Sequence, residues 1–473
     1  TMSKSVSDQV NQPWSGIRDH LEKLESGVLT IEEVVDTVFE KIEQLDNGIN
    51  AFTSVLHERA RARASFLDQA DLKKDSVPLL GVPFGVKNLF DIKNHVTLAG
   101  SKINKRNVAA LQDALLIRRL ENCGAILVGA LNMGEYAYDF TGENVHYGNC
   151  RNPWDPTRMA GGSSSGSAAA VASNMLPITL GSDTNGSIRV PASLCGIFGL
   201  KPTYGRLPRS GTYPFCDSLD HVGPLAQSCE DLAVVYDCLQ GFDKTDHACV
   251  SRNLEFVAKA AAGTDKSLRI GILEGYFANP QFVDANKAVS FVADALVDDG
   301  FSVERCNLEF AEAGRSAAFL ITNVEGAALH ESRLRSQPED FDPDTRDRFI
   351  AGSLLPASWY IKAQKVRKLF AEEAAALFQS FDVLIAPSTP IRAPKIGQKT
   401  MAINGEDVNV RANLGYFTQP ISCIGLPSLS VPISSRDRLP IGVQLVAAPW
   451  LERHCFEVGF RLQSLGLAVS KKA

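Results

Sequence analysis

The 473-residue sequence has neither a long apolar run nor closely paired cysteines. No stretch approaches the ~18 continuous apolar residues that a membrane-spanning helix requires. The 10 cysteines include no Cys-x-x-Cys pair and no secretory peptide stands before them, which favours independent, reduced thiols. These absences predict a cytoplasmic protein that does not enter a membrane.

The sequence also lacks an excess of positive charge and the common histidine and nucleotide motifs. Its net charge is -6, so a general nucleic-acid surface is not expected. None of the 8 histidines lies in a recognisable triad motif. The glycine-rich loop ending at Gly166 is not followed by Lys-Ser/Thr, which excludes a phosphate loop of the Walker type. We predict neither a metal ion nor a cofactor.

Two loops rich in glycine and serine are the most informative feature that is present. They span 161–167 (GGSSSGS) and 181–187 (GSDTNGS). A flexible linker has a similar composition, but the apolar segments at 168–172 and 176–180 predict packed elements beside the loops. Glycines let a loop turn several amide N–H groups toward one point, as an oxyanion hole requires. The pattern therefore favours a catalytic serine site.

A catalytic serine needs a base, because its hydroxyl is a weak nucleophile until the proton is removed. Ser187 does not lie in a Gly-x-Ser-x-Gly elbow, since Asn185 and Arg189 stand where the glycines would be. The better candidate base is Lys87, which ends a short apolar run and would be buried by a strand. On its position alone, a surface lysine at a strand end is the simpler interpretation.

These three segments together resemble the amidase signature family. The match is long, ordered and specific over 161–201, and the lysine segment at 81–91 fits as well. Further matching segments lie at 24–52, 147–155, 381–390 and 425–444. The resemblance thus covers essentially the whole chain.

The resemblance implies a Ser-Ser-Lys triad, with Ser187 as the nucleophile, Ser163 as the bridging serine and Lys87 as the base. In the family the bridging serine follows a cis peptide bond, here Gly162–Ser163. Lys87 has to be neutral to act, so we expect its amine to be buried, because burial lowers the pKa of a lysine. The implied oxyanion donors are the amides of Thr184, Asn185, Gly186 and Ser187. Asn185 stands where many members have glycine, and we expect it to narrow the pocket.

Three neighbours of the triad are expected to have structural roles. Asp183 and Arg189 are spaced to clamp the nucleophile loop as an ion pair rather than to bind substrate. Cys195 lies among apolar neighbours, with no group beside it in the sequence to stabilise a thiolate. It is therefore expected to be a small buried side chain rather than a catalytic thiol.

Hydrophobic periodicity predicts alternating helices and strands without a repeat. A capping box at Thr30–Glu33 precedes a helix of about four turns that is predicted to open the fold. Further helices are predicted at 111–120, 286–299, 315–335 and 356–378, and strands at 85–89, 125–129, 268–273, 382–386 and 429–432. This pattern indicates an α/β layer structure.

The resemblance makes the expected fold more specific: the α/β amidase signature fold, with a mixed central β-sheet sandwiched between layers of α-helices. We expect a disordered leader at 1–15 and a single domain at 16–473. Within it, the core signature lies at about 81–230, and a helical region that covers the substrate lies at about 250–380.

Substrate choice depends on residues outside the signature. The family includes hydrolases of small amides and ureas, fatty-amide hydrolases and the glutaminase component of glutamyl-tRNA amidotransferase. The resemblance implies that Arg348, Tyr136 and Ser164 bind substrate, and a guanidinium suits a carboxylate. Gly415 stands where the glutamine-using member has an aspartate for the amino group of glutamine. A carboxylate is therefore expected to be recognised and an α-ammonium is not.

Within the family, the pattern is most similar to the carboxybiuret hydrolases of cyanuric acid catabolism, whose substrates are small, planar, acidic ureas. We predict an amidohydrolase that cleaves a C–N bond of such a small-molecule amide or urea and releases ammonia. The alternative is the glutaminase component of a tRNA-dependent amidotransferase, and only this alternative would involve a nucleic acid. A scaffold protein without activity is disfavoured, since all three catalytic positions are filled.

The resemblance also implies partners. Carboxybiuret hydrolases and the glutaminase component of the amidotransferase both work with a small helical accessory protein, which in the amidotransferase is a separate, third component. We therefore predict a homodimer or a heterotetramer, with such a helical accessory protein as the candidate partner.

Overall fold

The computed structural model describes residues 13–70, 72, 77–263, 265–433 and 439–470. Its β-strands are β1 (Phe52–Val55), β2 (Pro83–Lys87), β3 (Ile126–Leu131), β4 (Arg151–Asn152), β5 (Asp155–Met159), β6 (Ile178–Asp183), β7 (Phe198–Lys201), β8 (His221–Ala226), β9 (Arg269–Leu273), β10 (Ser302–Cys306), β11 (Val383–Pro387), β12 (Thr400–Ile403), β13 (Glu406–Asn409), β14 (Ser428–Ile433) and β15 (Ile441–Ala447).

The α-helices are α1 (Ile17–Glu25), α2 (Ile31–Ile49), α3 (His57–Gln69), α4 (Leu115–Asn122), α5 (Ser165–Ala172), α6 (Arg189–Cys195), α7 (Cys229–Leu239), α8 (Val283–Asp298), α9 (Ala311–Ser336), α10 (Pro343–Ser353), α11 (Ala357–Leu377), α12 (Val410–Asn413), α13 (Gln419–Cys423) and α14 (Glu452–Ser464). Within the described ranges, no helix is both long and apolar enough to cross a membrane.

A large mixed sheet forms the centre of the fold. Its strand order is β1-β3-β2-β6-β8-β7-β14-β15-β11-β9-β10. The pairs β2–β3, β2–β6, β9–β10 and β9–β11 are parallel, and the other neighbours are antiparallel. Helices flank this sheet, so the predicted mixed sheet between helical layers is confirmed.

The parallel pairing of β2 with β6 positions the catalytic candidates. Phe84 is paired with Ile178, and Val86 with Leu180. Both strands are buried along their whole length. Because the carboxyl ends of parallel strands meet at the same edge of a sheet, Lys87 at the end of β2 comes to lie beside the loop that follows β6.

Small side chains let α5 lie deep in the protein. Its sequence is SGSAAAVA, and every residue in it is buried. At Gly166 an added Cβ would collide with the backbone at Ala51 and Asn132, so only glycine lets the helix approach these segments so closely. The first glycine-serine loop is thus the entry to a packed helix, and the linker interpretation is wrong.

Most predicted elements are present, with shifted ends. The capping box is confirmed: Thr30 Oγ1 accepts from Glu33 N–H at 3.2 Å, and Glu33 Oε2 accepts from Thr30 N–H at 2.8 Å. The helix behind it does not open the fold, because α1 precedes it. That helix is hard to detect from sequence, since its buried residues are only Ile17 and His20. The strand predicted at 85–89 ends at Lys87, where Leu89 N–H donates to the Lys87 carbonyl at 2.7 Å and turns the chain.

The predicted leader at 1–15 lies mostly outside the described residues. Its last part does not, because Trp14 Nε1 donates to Asp231 Oδ2 at 2.6 Å and Trp14 N–H donates to Asn174 Oδ1 at 3.1 Å. Trp14 is thus attached to the folded part of the chain, and the predicted end of the leader at residue 15 is wrong.

Candidate active site

Lys87 lies at the end of β2 with its amine between two serine hydroxyls. Its Nζ lies 2.6 Å from Ser163 Oγ and 2.8 Å from Ser182 Oγ. The side chain is fully buried, which contradicts the interpretation of a surface lysine. The peptide bond between Gly162 and Ser163 is cis, as the resemblance implies.

Burial controls the charge of Lys87. Removal of the amine from water lowers the pKa of Lys87 from 10.5 to about 7, although the charges of Asp183, Asp220 and Asp139 raise it. The side-chain groups that it contacts directly are hydroxyls rather than carboxylates. About half of the amine is therefore neutral at pH 7, and it can accept a proton there.

A buried ion pair fixes the loop that carries Ser187. Arg189 Nε donates to Asp183 Oδ2 at 3.0 Å, and Arg189 Nη2 donates to Oδ1 at 3.1 Å. Arg189 Nη1 also donates to Gln444 Oε1 at 3.0 Å. Burial would raise the pKa of Asp183, but the charge and hydrogen bonds of Arg189 bring it well below the usual value. The predicted clamp between Asp183 and Arg189 is confirmed.

The backbone of the same loop presents unused amide donors. Within the described ranges, the N–H groups of Asn185, Gly186 and Ser187 donate to no protein acceptor. Thr418 Oγ1 donates to the Asn185 carbonyl at 2.8 Å. Because the carbonyl and amide of one planar peptide point in opposite directions, this bond turns the Gly186 N–H away from Thr418. Ser164 N–H donates to the Ser187 carbonyl at 3.2 Å, which ties the two loops together.

A small cavity lies beside Ser187. Its volume is about 20 Å³, which is room for about one water molecule. A substrate therefore fits only if lining side chains move, and Phe319 is placed to do so because it is 45% exposed. The lining residues are Ala137, Tyr138, Asp139, Phe140, Thr184, Asn185, Ser187, Phe215, Phe319, Arg348, Ala412 and Gln419.

Helix α10 places Arg348 on this cavity. The guanidinium carbon lies 3.6 Å from the centre of the Tyr138 ring, and Nη2 donates to the Tyr138 carbonyl. Nε donates to the Asp344 carbonyl at 3.1 Å. In the described residues its hydrogen-bond partners are carbonyls, so its charge remains available to a carboxylate in the cavity.

Two predicted substrate-binding residues do not line the cavity. Tyr136 is buried elsewhere, where its hydroxyl donates to Asn104 Oδ1 at 2.9 Å and its ring lies 4.2 Å from that of His330. Ser164 uses its hydroxyl within the fold, donating to the Ser182 carbonyl at 3.0 Å. The tyrosine on the cavity is Tyr138, two residues further on, because the chain turns at Tyr136 with a positive φ of 48°.

The structure adds two residues that sequence analysis missed. Ser182 contacts the lysine amine, and Phe319 comes from the distant helix α9. A signal for Ser182 existed, since it is a hydroxyl near the end of an otherwise apolar strand. No sequence signal pointed to Phe319, because its place on the cavity depends on how α9 packs.

Cys195 has the inert surroundings that its sequence predicts. It is fully buried, and its Sγ donates to the Ala160 carbonyl at 3.2 Å. Burial raises the pKa of this thiol above its usual value. Elsewhere in the described part of the chain, no cluster of His, Cys, Asp or Glu is arranged to hold a metal ion.

The Amidase family model matches residues 33–456. The chain belongs to the amidase family. This amidase is 48% identical over 451 residues to the AtzE subunit of the 1-carboxybiuret hydrolase of Pseudomonas sp. (strain ADP), and the match covers 95% of this chain and 98% of that protein. It is 34% identical over 469 residues to a glutamyl-tRNA(Gln) amidotransferase component, GatA-like in type, of Roseiflexus sp. (strain RS-1), and the match covers 94% of each.

Solved structures give the same relationship. A chain from a vestigial protein complex that bears on the origin of an s-triazine catabolic enzyme superposes with a TM-score of 0.92 and 46% identity, over 96% of this amidase and 100% of that chain. The corresponding amidotransferase component of Thermotoga maritima superposes with a TM-score of 0.75 and 29% identity, over 92% and 94% of the two chains. The protein is an amide-bond hydrolase.

Proposed function

We propose that this amidase hydrolyses the terminal C–N bond of a small acidic urea and releases ammonia, with Ser187 as nucleophile, Ser163 as bridging serine and Lys87 as base. The observation that carries the proposal is the Lys87 amine, buried 2.6 Å from Ser163 Oγ. The backbone bond from Ser164 to Ser187 holds the nucleophile beside this pair. A neutral amine, two hydroxyls and unused amides are the parts that acyl transfer requires.

The reaction follows in two halves. Ser187 Oγ bonds to the substrate carbonyl carbon while Ser163 Oγ takes its proton and passes its own proton to Lys87 Nζ. The amides of Thr184, Asn185, Gly186 and Ser187 stabilise the negative oxygen that forms.

The proton then returns along the same path to the leaving nitrogen, the C–N bond breaks, and ammonia departs. Water loses a proton through the relay, attacks the ester carbon and frees the acid, and Ser187 recovers its proton.

The proposed substrate is 1-carboxybiuret, the compound in the name of the relative with 48% identity. Arg348 supports an acidic substrate, because it lies on the cavity and in the described residues has no carboxylate partner. A planar guanidinium binds a carboxylate through two hydrogen bonds. The cavity is also too small for a lipid chain without large movement.

The glutaminase component of an amidotransferase is the second candidate, and Gly415 argues against it. A Cβ at Gly415 would collide with the ring of Phe140, which lines the cavity. An aspartate for an α-ammonium therefore cannot be placed there unless Phe140 moves. Glutamine carries such an ammonium, whereas carboxybiuret does not.

Two further features belong to the proposal. Residues from about 250 to 380 supply Phe319 and Arg348 to the cavity, so we assign them the role of covering the substrate within a single domain. An accessory protein is supported by the relatives, of which one is part of an amidotransferase and one is a chain from a vestigial complex.

The test is ammonia release from carboxybiuret, biuret and glutamine. We expect carboxybiuret to be preferred, and Ser187→Ala to lower turnover by at least on the order of 10³-fold without unfolding the protein. Arg348→Ala should weaken kcat/KM for carboxybiuret by roughly 2 to 4 kcal/mol and for uncharged biuret far less. Preference for glutamine, or equal effects of Arg348→Ala on both ureas, would contradict the proposal.

A further inference from the structure

The side chain of Asn185 has an unpaired oxygen at the active-site cavity. Asn185 lines the cavity with only 5% of its surface exposed, and its Oδ1 has no hydrogen-bond partner among the described residues. Several other buried side-chain atoms lack a partner, but none of them belongs to a residue that lines this cavity. Because an unpaired buried acceptor is unfavourable, this oxygen is placed to receive a donor from a bound molecule.

Helix α9 fixes the direction of this oxygen. Asn185 Nδ2 donates to Thr322 Oγ1 at 2.9 Å, and Thr322 is itself buried. On the backbone, Thr418 holds the Asn185 carbonyl at 2.8 Å. Both ends of the residue are thus restrained, so Oδ1 does not have to be ordered when a ligand arrives.

We propose that Asn185 is a specificity-determining residue whose Oδ1 accepts a hydrogen bond from an N–H group of the substrate chain. The inference rests on the proposed function, in which the loop amides hold the carbonyl oxygen and Arg348 holds the carboxylate. Between these two ends, carboxybiuret carries N–H groups. A carbon-chain amide of the same length carries methylenes, which leave Oδ1 unpaired. Asn185 therefore selects ureas over carbon-chain amides.

Glutaric acid monoamide is the matched probe for this inference. It has the carboxylate, the terminal amide and the chain length of carboxybiuret, but methylenes replace the N–H and carbonyl groups between them. Asn185→Gly keeps the backbone amide, and Asn185→Leu keeps the approximate size without polar atoms. In each variant we expect the ratio of kcat/KM for carboxybiuret to that for the monoamide to fall at least tenfold.

Two further variants separate recognition from a change in shape. Thr322→Val removes the hydroxyl that holds the Asn185 amide, and should lower the same ratio several-fold, mainly through KM for carboxybiuret. Phe319→Leu alters the cavity wall without touching a hydrogen bond, and should change both substrates in parallel. Thermal unfolding of each variant identifies any that fails to fold.

The outcomes distinguish this inference from the proposed function. If the unaltered protein hydrolyses carboxybiuret and both Asn185 variants keep the substrate ratio within twofold, the inference is overturned and the proposed function stands. If the unaltered protein hydrolyses neither carboxybiuret nor biuret, the proposed function fails and the inference falls with it. A tenfold fall in the ratio with Asn185→Leu, absent with Phe319→Leu, supports both.

Discussion

Lys87 and Arg189 are both fully buried cations beside the same loop, but their surroundings are opposite. Lys87 touches two hydroxyls, whereas Arg189 touches a carboxylate, a side-chain amide and a third hydroxyl. Hydroxyls do not offset the loss of water around a charge as a carboxylate does. Burial therefore makes the lysine a proton acceptor, and the same burial leaves the arginine as a structural clamp.

Replacing Lys87 should have the largest effect. Lys87→Met preserves the length of the side chain and removes the amine, so we expect activity to fall by at least on the order of 10³-fold. The fold should persist, because the lysine side chain makes no ion pair in the described residues. Ammonia release and thermal unfolding measure the two quantities. Near-normal activity would end the assignment of Lys87 as base and reopen the search among the histidines.

Replacing Arg189 should give the reverse result, a loss of stability. Arg189→Met leaves the carboxylate of Asp183 buried without its cation, which costs roughly 3 to 5 kcal/mol. The free energy of unfolding in urea at pH 7 measures this loss. The pKa of Asp183 is lowered, so the contribution of the pair is present above the ordinary aspartate pKa and is lost as the solution becomes more acidic. A stable Arg189→Met protein would show that the clamp is not needed.

The pH dependence of activity tests the charge of Lys87 directly. Its pKa is lowered to about 7, and the neutral form is the active one, so activity should rise as pH increases through 7. At pH 6, kcat/KM should be about a tenth of its plateau. A profile that is flat from pH 6 to 8 would contradict a buried neutral base. Arg189→Lys is the matched control, since it should leave the position of this limb unmoved in any fraction that folds.

The smallest effect is expected at Ser182. Ser182→Ala removes one of the two hydroxyls on the lysine amine. Because an acceptor favours the ammonium form, its loss should lower the pKa of Lys87 further and move the activity limb to lower pH. We expect a fall in kcat of about tenfold or less. Unchanged position of the limb would show that Ser182 does not influence the lysine.

The difference between these two cations also marks what the sequence could predict. Asp183 and Arg189 lie on one short segment, so their pairing follows from spacing. Lys87 is remote from Ser163 in sequence, and its role came from the resemblance, not from periodicity. Tyr136 was wrong for a local reason: one residue with a positive φ decides which tyrosine meets the cavity. Such a turn is not visible in hydrophobic patterns.

Residues that reach the cavity from distant helices were the hardest to predict. Thr322 and Phe319 carry no sequence pattern that separates them from other residues of α9. Their contribution arises only after the helix packs against the nucleophile loop. The central sheet, in contrast, could be predicted from its apolar runs, because its strands are buried throughout.

Helix α9 reaches both ends of the proposed substrate through consecutive residues. Thr322 binds the side chain of Asn185 in the nucleophile loop, and Asn323 accepts a hydrogen bond from Tyr138, on whose ring Arg348 lies. A helix does not stretch between adjacent residues, so the span from the anion grip to the attacked carbon is set by backbone geometry. Discrimination by substrate length is then a property of this helix, while the cavity walls decide only width.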